Sequence, residues 1–414
     1  MTLDLKQFEK VLLKLLVFLL PTQLALHFWP KWSFVFGIRV DYLSPAIYLT
    51  DILLLLLLSV WIAKDHSEFY KIIRKVWIWI FVVILFASLN IIFSVSLFPT
   101  MYRWAKIFET VTFALYVSSR KKFFVQWKIY RTIFISVVFF SLIGVAQTFL
   151  GHTIGGLFYF LGERNFNLST PGIALETLFG QNFLRPYSTF SHPNSLAGYF
   201  SVCLILLVPY IFRKKNLFKI SGFLIILTSI IFASSLASFL GLFGSAILYL
   251  IYRARFLNNK NIFLIPLSAF LISILLSVFS YQPFFYKLNF SQRFLQRMEL
   301  ASIAGQMVSQ KFWIGEGLNT FTIKETKFIG IKSYEWILQP VHNIYLLAFS
   351  ETGIIGLIFL LFVFYKAFKN AFSKKKISLL VTIVFILITG LFDHYWLTLQ
   401  QNLLLFGFVV GLSI

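Results

Sequence analysis

Long apolar runs recur along this chain from end to end, and that repetition limits its possible folds more than any motif does. They fall near residues 11–30, 42–63, 76–95, 102–117, 133–151, 195–212, 217–233, 236–252, 262–280, 342–365, 377–392 and 400–414. A helical run of about 20 apolar residues crosses the hydrocarbon layer of a bilayer. Of 414 residues, 59% are hydrophobic and 13% charged, with a mean hydropathy of +0.83. A water-facing surface needs more polar side chains than that. The reading is all-α: a polytopic transmembrane bundle of about 12 helices forming one integral membrane domain. A large extracytoplasmic loop, residues 281–341, separates helices nine and ten and is a functional candidate.

The run at 102–117 is the weakest span, because it holds Arg103, Lys106 and Glu109. Elsewhere the charge sits between runs. Lys71, Arg74 and Lys75 share one connection; Arg120, Lys121, Lys122 and Lys128 another; Arg213, Lys214 and Lys215 a third. Arg253, Arg255 and Lys260, then Lys366, Lys369, Lys374, Lys375 and Lys376, follow in further alternate connections. The positive-inside rule places all of these, and both termini, in the cytoplasm. The net charge of +22 thus reads as orientation and as contact with anionic membrane lipids. With no basic domain or aromatic–basic platform, nucleic acid is excluded as a partner. The single cysteine, Cys203, rules out an intrachain disulfide and a cysteine-built metal site. The first run lacks a small-residue cleavage site and reads as a retained span.

Two connections are long, 151–194 and 281–341. Both fall on the outer side, and loops of that size are functional candidates. The first ends in Arg185-Pro-Tyr-Ser-Thr-Phe-Ser-His192-Pro-Asn194, where Pro193 and Asn194 read as the stop and N-cap of the next span. An arginine beside a helix start can hold an anion, or simply sit among lipid headgroups. The second contains an amphipathic helix over 292–310 that puts Arg293 and Arg297 four residues apart on one face. Those two could grip one multivalent anion or line a solvated face. Gly315 and Gly317 read as turn glycines. The loop closes on His342-Asn343-Ile-Tyr345. Histidine accepts a proton near neutral pH, although an interfacial histidine also serves as a polar cap. Glu351, about 13 Å deeper along the helix, must face the bundle or a cavity. Asp393-His394 lies on the same side, as support for the site or as turn chemistry.

The strings RPYSTFSHPNSLAGYF, RMELASIAGQMVSQKFWIGEGLNTF, HNIYLLAFSETGIIG and FDHYWLTLQQNLLLFGFVVGL, in that order, resemble the O-antigen ligase and O-antigen polymerase superfamily. The resemblance covers the later two-thirds of the chain. It implies a GT-C type membrane glycosyltransferase in the plasma (inner) membrane, with its active site on the extracytoplasmic face. The implied reaction moves a glycan from undecaprenyl diphosphate to a hydroxyl acceptor on a glycan, lipid or protein, without a metal or other cofactor and with inversion. The family's two arginines fall on Arg185 and Arg297, with Arg293 as second choice, and its catalytic histidine falls on His342. His192, Asn194, Asn343 and Tyr345 are the polar neighbours expected to line the substrate site. Many members carry a Ser-Arg pair at a turn between two middle spans, where this chain has Ala233-Ser-Ser-Leu-Ala237.

The residues suit such a reaction. Negative charge develops on a diphosphate as it leaves, and guanidinium groups can hold it bidentately. The outer loops lack an Asp-x-Asp pair or carboxylate cluster, which favours a metal-free mechanism. The acceptor hydroxyl needs a base, which His342 can be. The alternative is a lipid-linked glycan flippase or other transporter; that class shows internal repeats and charges within its spans. A third reading, a structural scaffold, would not need clustered arginines and a histidine.

Overall fold

The computed structural model describes residues 4–178, 180–213, 216–256, 292–328 and 338–414. The ninth expected span, near 262–280, and parts of the 281–341 loop lie outside them. The chain is mostly helical. Four helices are long and apolar enough to cross a membrane: α3 (His66–Ile92), α5 (Ile129–Leu150), α6 (Pro193–Arg213) and α11 (Ile344–Ser373). Shorter apolar helices are α7 (Leu217–Phe232), α8 (Leu236–Phe256), α12 (Ile377–Thr389) and α14 (Gln400–Ser413). α1 (Leu5–Leu19), α2 (Leu49–Lys64), α4 (Leu97–Arg120) and α9 (Gln292–Gln310) complete the long elements, with the single turns α10 (Phe321–Lys324) and α13 (Tyr395–Thr398).

Burial sorts these helices. α14 is buried over its whole length and packs on α4, its Gly407 and Gly411 lying against Thr110 and Ala114. Small residues let two backbones approach closely where lipid provides no hydrophobic drive. α6 is largely enclosed, whereas α3 presents Trp77, Trp79 and Phe81 outward, as a rim helix facing acyl chains does.

The first run is shorter as a helix than its hydropathy suggests. α1 ends at Leu19, because Pro21 disfavours continuation. The chain then forms two small hairpins, β1 (Ala25–His27) with β4 (Ala46–Tyr48) and β2 (Phe34–Val35) with β3 (Ile38–Arg39). A third, β5 (Leu175–Leu178) with β6 (Gln181–Leu184), lies in the 151–194 connection.

α4, the span weakened by its charges, is a continuous helix, and Lys106 and Glu109 meet inside the bundle. Lys106 pairs with Asp51 and lies 3.4 Å from Glu109. Asp51 also accepts from Gln400 Nε2 at 2.6 Å and from the Tyr48 amide at 2.9 Å. Removing one member of a buried ion pair strands the other and costs about 3–5 kcal/mol. Lys106→Met is therefore expected to lower the thermal stability of the detergent-solubilised protein sharply. Lys106→Met/Asp51→Asn should recover much of the loss; equal melting of the wild type and the single variant would contradict this.

α11 is broken. Gly353 has φ +65° and ψ −173°, a conformation disfavoured for residues with a Cβ. The segment after α9 docks into the break: Glu316 N donates to Ser350 O (3.0 Å), Gly317 N to Glu351 O (2.9 Å) and Ile354 N to Phe312 O (2.8 Å). Gly315, at φ +76°, lies where a Cβ would strike the Glu351 backbone. Gly315 and Gly317, at φ +76° and +107°, are turn residues, as their pattern implied. Glu351 faces inward, its Oε1 accepting from the Phe321 amide at 3.0 Å.

Candidate active site

Four segments meet at one end of the bundle: the chain entering α6, the start of α11, the turn between α12 and α13, and the hairpin region before α2. The helix α6 begins at Pro193, so proline occupies the first helical position, where its missing N–H costs nothing. His192, not Asn194, thus stands at the cap, and its Nδ1 accepts the Asn194 amide at 3.1 Å. That frees the Asn194 side chain to bridge. Its Oδ1 accepts from Arg185 Nη2 at 2.8 Å, and its Nδ2 donates to Asp393 Oδ2 at 3.1 Å.

Asp393 is the hub. Its Oδ1 accepts the His394 amide at 2.8 Å and lies 3.7 Å from His342 Nδ1, an electrostatic contact longer than a hydrogen bond. The His342 and His394 rings are 5.1 Å apart, and Tyr42 meets His394 edge-on at 5.5 Å. His394 Nδ1 lies 2.7 Å from Thr398 Oγ1. Burial alone would raise the Asp393 pKa, but contact with His342 and the positive charge of the histidines hold it well below the usual carboxylate range. Burial, against the pull of Asp393, lowers the His394 pKa to about 3, with positive charge at His342, Arg297 and Arg103 adding to the effect. At neutral pH the cluster therefore holds a fixed carboxylate and a neutral His394.

The bland reading of His342 as a helix cap does not hold. Asn343 caps α11, its Oδ1 accepting from the Tyr345 and Leu346 amides at 2.9 and 3.0 Å. Asn343 Nδ2 reaches Leu391 O (3.2 Å) and Tyr345 donates to Leu387 O (2.8 Å). Both side chains thus tie the start of α11 to the α12 end. His342, just before the cap, is half-buried and its Nδ1 has no hydrogen-bond partner among the described residues.

The arginines are placed differently. Arg185 is buried; its Nε donates to Ala233 O at 2.8 Å, and its Nη2 to Ala233 O and to Ser234 O, the latter at 3.4 Å. It therefore fills, from another loop, the turn at which the sequence lacks the Ser-Arg pair. Arg297 is exposed on α9, near enough for its charge to reach His394. The backbone of Arg293 lies on the same helix; its side chain falls outside the described residues.

His342, Asp393 and His394 each offer a ligand atom, all within 4.8 Å of one another. Among the described residues they are the group able to hold a metal ion, and three N/O ligands with an open position also suit a catalytic zinc. Sequence reasoning had Asp393 only as possible support; its adjacency to two other polar turns is a tertiary fact that local sequence does not carry.

No curated protein matches the chain. Residues 194–361, which include Asn194, Arg297, His342 and Glu351, match the family model described as O-antigen ligase. The matched stretch runs from the first turn of α6 through the break in α11, so it holds Asn194 and the start of α11, while Arg185, the α12–α13 turn and the hairpin region lie outside it; over residues 194–361 the chain matches the O-antigen ligase family, an enzyme class of lipid-linked glycan transferases.

Proposed function

We propose that this protein transfers a glycan from an undecaprenyl-diphosphate carrier to a hydroxyl acceptor, by single displacement with inversion. The observation that carries the reading is the convergence of His342, Asp393, Asn194 and Arg185 at one end of the bundle, with His342 and Asn194 inside the matched stretch. Asp393 orients His342 through Nδ1 and stabilises the imidazolium, leaving Nε2 to take the acceptor proton. The acceptor oxygen attacks the anomeric carbon as the bond to the diphosphate oxygen breaks. The departing charge falls to arginine, Arg297 first, with Arg293 as its neighbour on the same helix. Arg185, held by the carbonyls of the α7–α8 turn, supports this, and His192 and Asn194 line the entry to α6.

About twelve spans in a single membrane domain, both termini cytoplasmic and the site outside, complete the proposal. Cys203 is buried, so introduced cysteines report cleanly. Ser302→Cys, on an exposed position of α9, should react with a membrane-impermeant maleimide in intact cells. Reaction only after membrane rupture would reverse the topology. The activity itself is tested by reconstituting the protein with an undecaprenyl-diphosphate-linked glycan and an envelope acceptor fraction. Glycan covalently joined to acceptor, with release of undecaprenyl diphosphate, is the expected result. Passage of intact lipid-linked glycan across the bilayer with no new bond would favour the flippase reading.

A further inference from the structure

Arg103 is the seventh residue of α4, about 9 Å along from the helix start. That start belongs to the site's end of the bundle: Val95 N, in the turn before α4, donates to Glu316 O at 2.8 Å, and Tyr102 donates to Ala46 O at 3.1 Å. Arg103 is only 8% exposed, and its Nη2 is buried with no hydrogen-bond partner among the described residues. Other buried cations nearby are matched. Lys106 has Asp51 and Glu109, and Lys324 lies 2.6 Å from Glu316. The groups whose charge bears on Arg103 are Tyr102, Tyr48 and Glu351. Of these only Glu351 is a carboxylate, and it already accepts the Phe321 amide.

A guanidinium has five donors, and leaving one unmet in a low-dielectric interior is costly. Ionisable residues at membrane depth persist mainly where they contact substrate or one another. The charge of Arg103 reaches His394, the residue that Arg297 also reaches from α9. The charges of the two arginines thus both bear on His394, one from a buried side chain and one from an exposed one. A diphosphate, with adjacent negative charges, is an anion that two such groups hold better than one.

We propose that Arg103 is a binding residue for the donor's diphosphate, its unmet guanidinium donor completing the cation pair begun by Arg297. This rests on the transferase reading, since the anion named is that reaction's leaving group.

The test uses the full chain in nanodiscs, with undecaprenyl diphosphate as probe and undecaprenol as the phosphate-free control. The variants are Arg103→Met, Arg103→Lys and Arg103→Met/Glu351→Gln. Arg103→Met should weaken undecaprenyl diphosphate binding at least about tenfold while leaving undecaprenol binding unchanged. Arg103→Lys should recover part of the loss, because lysine keeps the charge without the fork. The double variant removes the carboxylate that Arg103→Met strands, so it should fold well yet remain weak in binding. Binding by Arg103→Met within twofold of wild type would overturn the proposal. So would full recovery in the double variant, which would make Arg103 only a counter-charge for Glu351. Wild-type protein that binds the two lipids equally would sink this proposal together with the transferase reading. Wild-type preference for the diphosphate that survives Arg103→Met would sink this proposal alone.

Discussion

Arg297→Lys is expected to be nearly as inactive as Arg297→Ala, each losing roughly 10²-fold or more in glycan transfer, the usual scale for removing one stabiliser of developing charge. Lysine retains the positive charge but not the planar fork that engages two phosphate oxygens together. Arg297 suits the test because it is exposed on α9, so its replacement leaves the packing of Leu300, Ile303 and Met307 intact. Arg185→Lys should also fail, for a mixed reason, since Arg185 additionally holds the Ala233 and Ser234 carbonyls. The same assay run with EDTA should show undiminished transfer. Inhibition by EDTA that a divalent cation reverses would assign His342, Asp393 and His394 as metal ligands in place of the arginine mechanism. Full activity in Arg297→Ala would remove Arg297 from the site.

Much of this was legible in the sequence because it depends on local composition. Lipid is an unusual solvent, and a run such as 133–151 declares itself by hydropathy alone; the helix found there is Ile129–Leu150. Gly315 and Gly317 were readable as turn residues because positive φ is glycine's particular property, and they have φ +76° and +107°. Pairing was not legible. Nothing local to Arg103, Lys106 or Glu109 distinguishes a span with internal partners from a helix lying in the interface. The answer depends on Asp51 and Gln400, residues far away in the chain. The same holds for Asn194, which local rules made a cap. The proline before it took the first helical position, and the side chain was left to bridge Arg185 and Asp393. The early helix was overestimated for a related reason. Apolar residues continue past Leu19, but Pro21 ends the helix and the residues beyond pair as hairpins. That hairpin region brings Tyr42 onto His394, a contribution to the site that no motif in the first fifty residues announced.

His342→Ala is expected to lose transfer by about 10²–10⁴-fold, the range for removing a general base, while still binding the lipid-linked donor. The structure sharpens this expectation, because Asn343 and not His342 caps α11. Alanine at 342 thus leaves the helix start and the arginines in place, and a rate loss reports chemistry. Asp393→Asn should lose less than His342→Ala. It keeps the shape of the turn but removes the charge 3.7 Å from Nδ1 that orients the ring and steadies the imidazolium. If the two act as one unit, the double variant should be little worse than His342→Ala alone, since Asp393 works through the imidazole. Additive losses would separate them and give Asp393 a role of its own, such as gripping the acceptor. Added imidazole offers a further readout: it should restore some transfer to His342→Ala and none to Arg297→Ala. A folded His342→Ala protein that binds donor and transfers within about threefold of wild type would show that the acceptor hydroxyl is deprotonated elsewhere, since that loss is well under the contribution of one base.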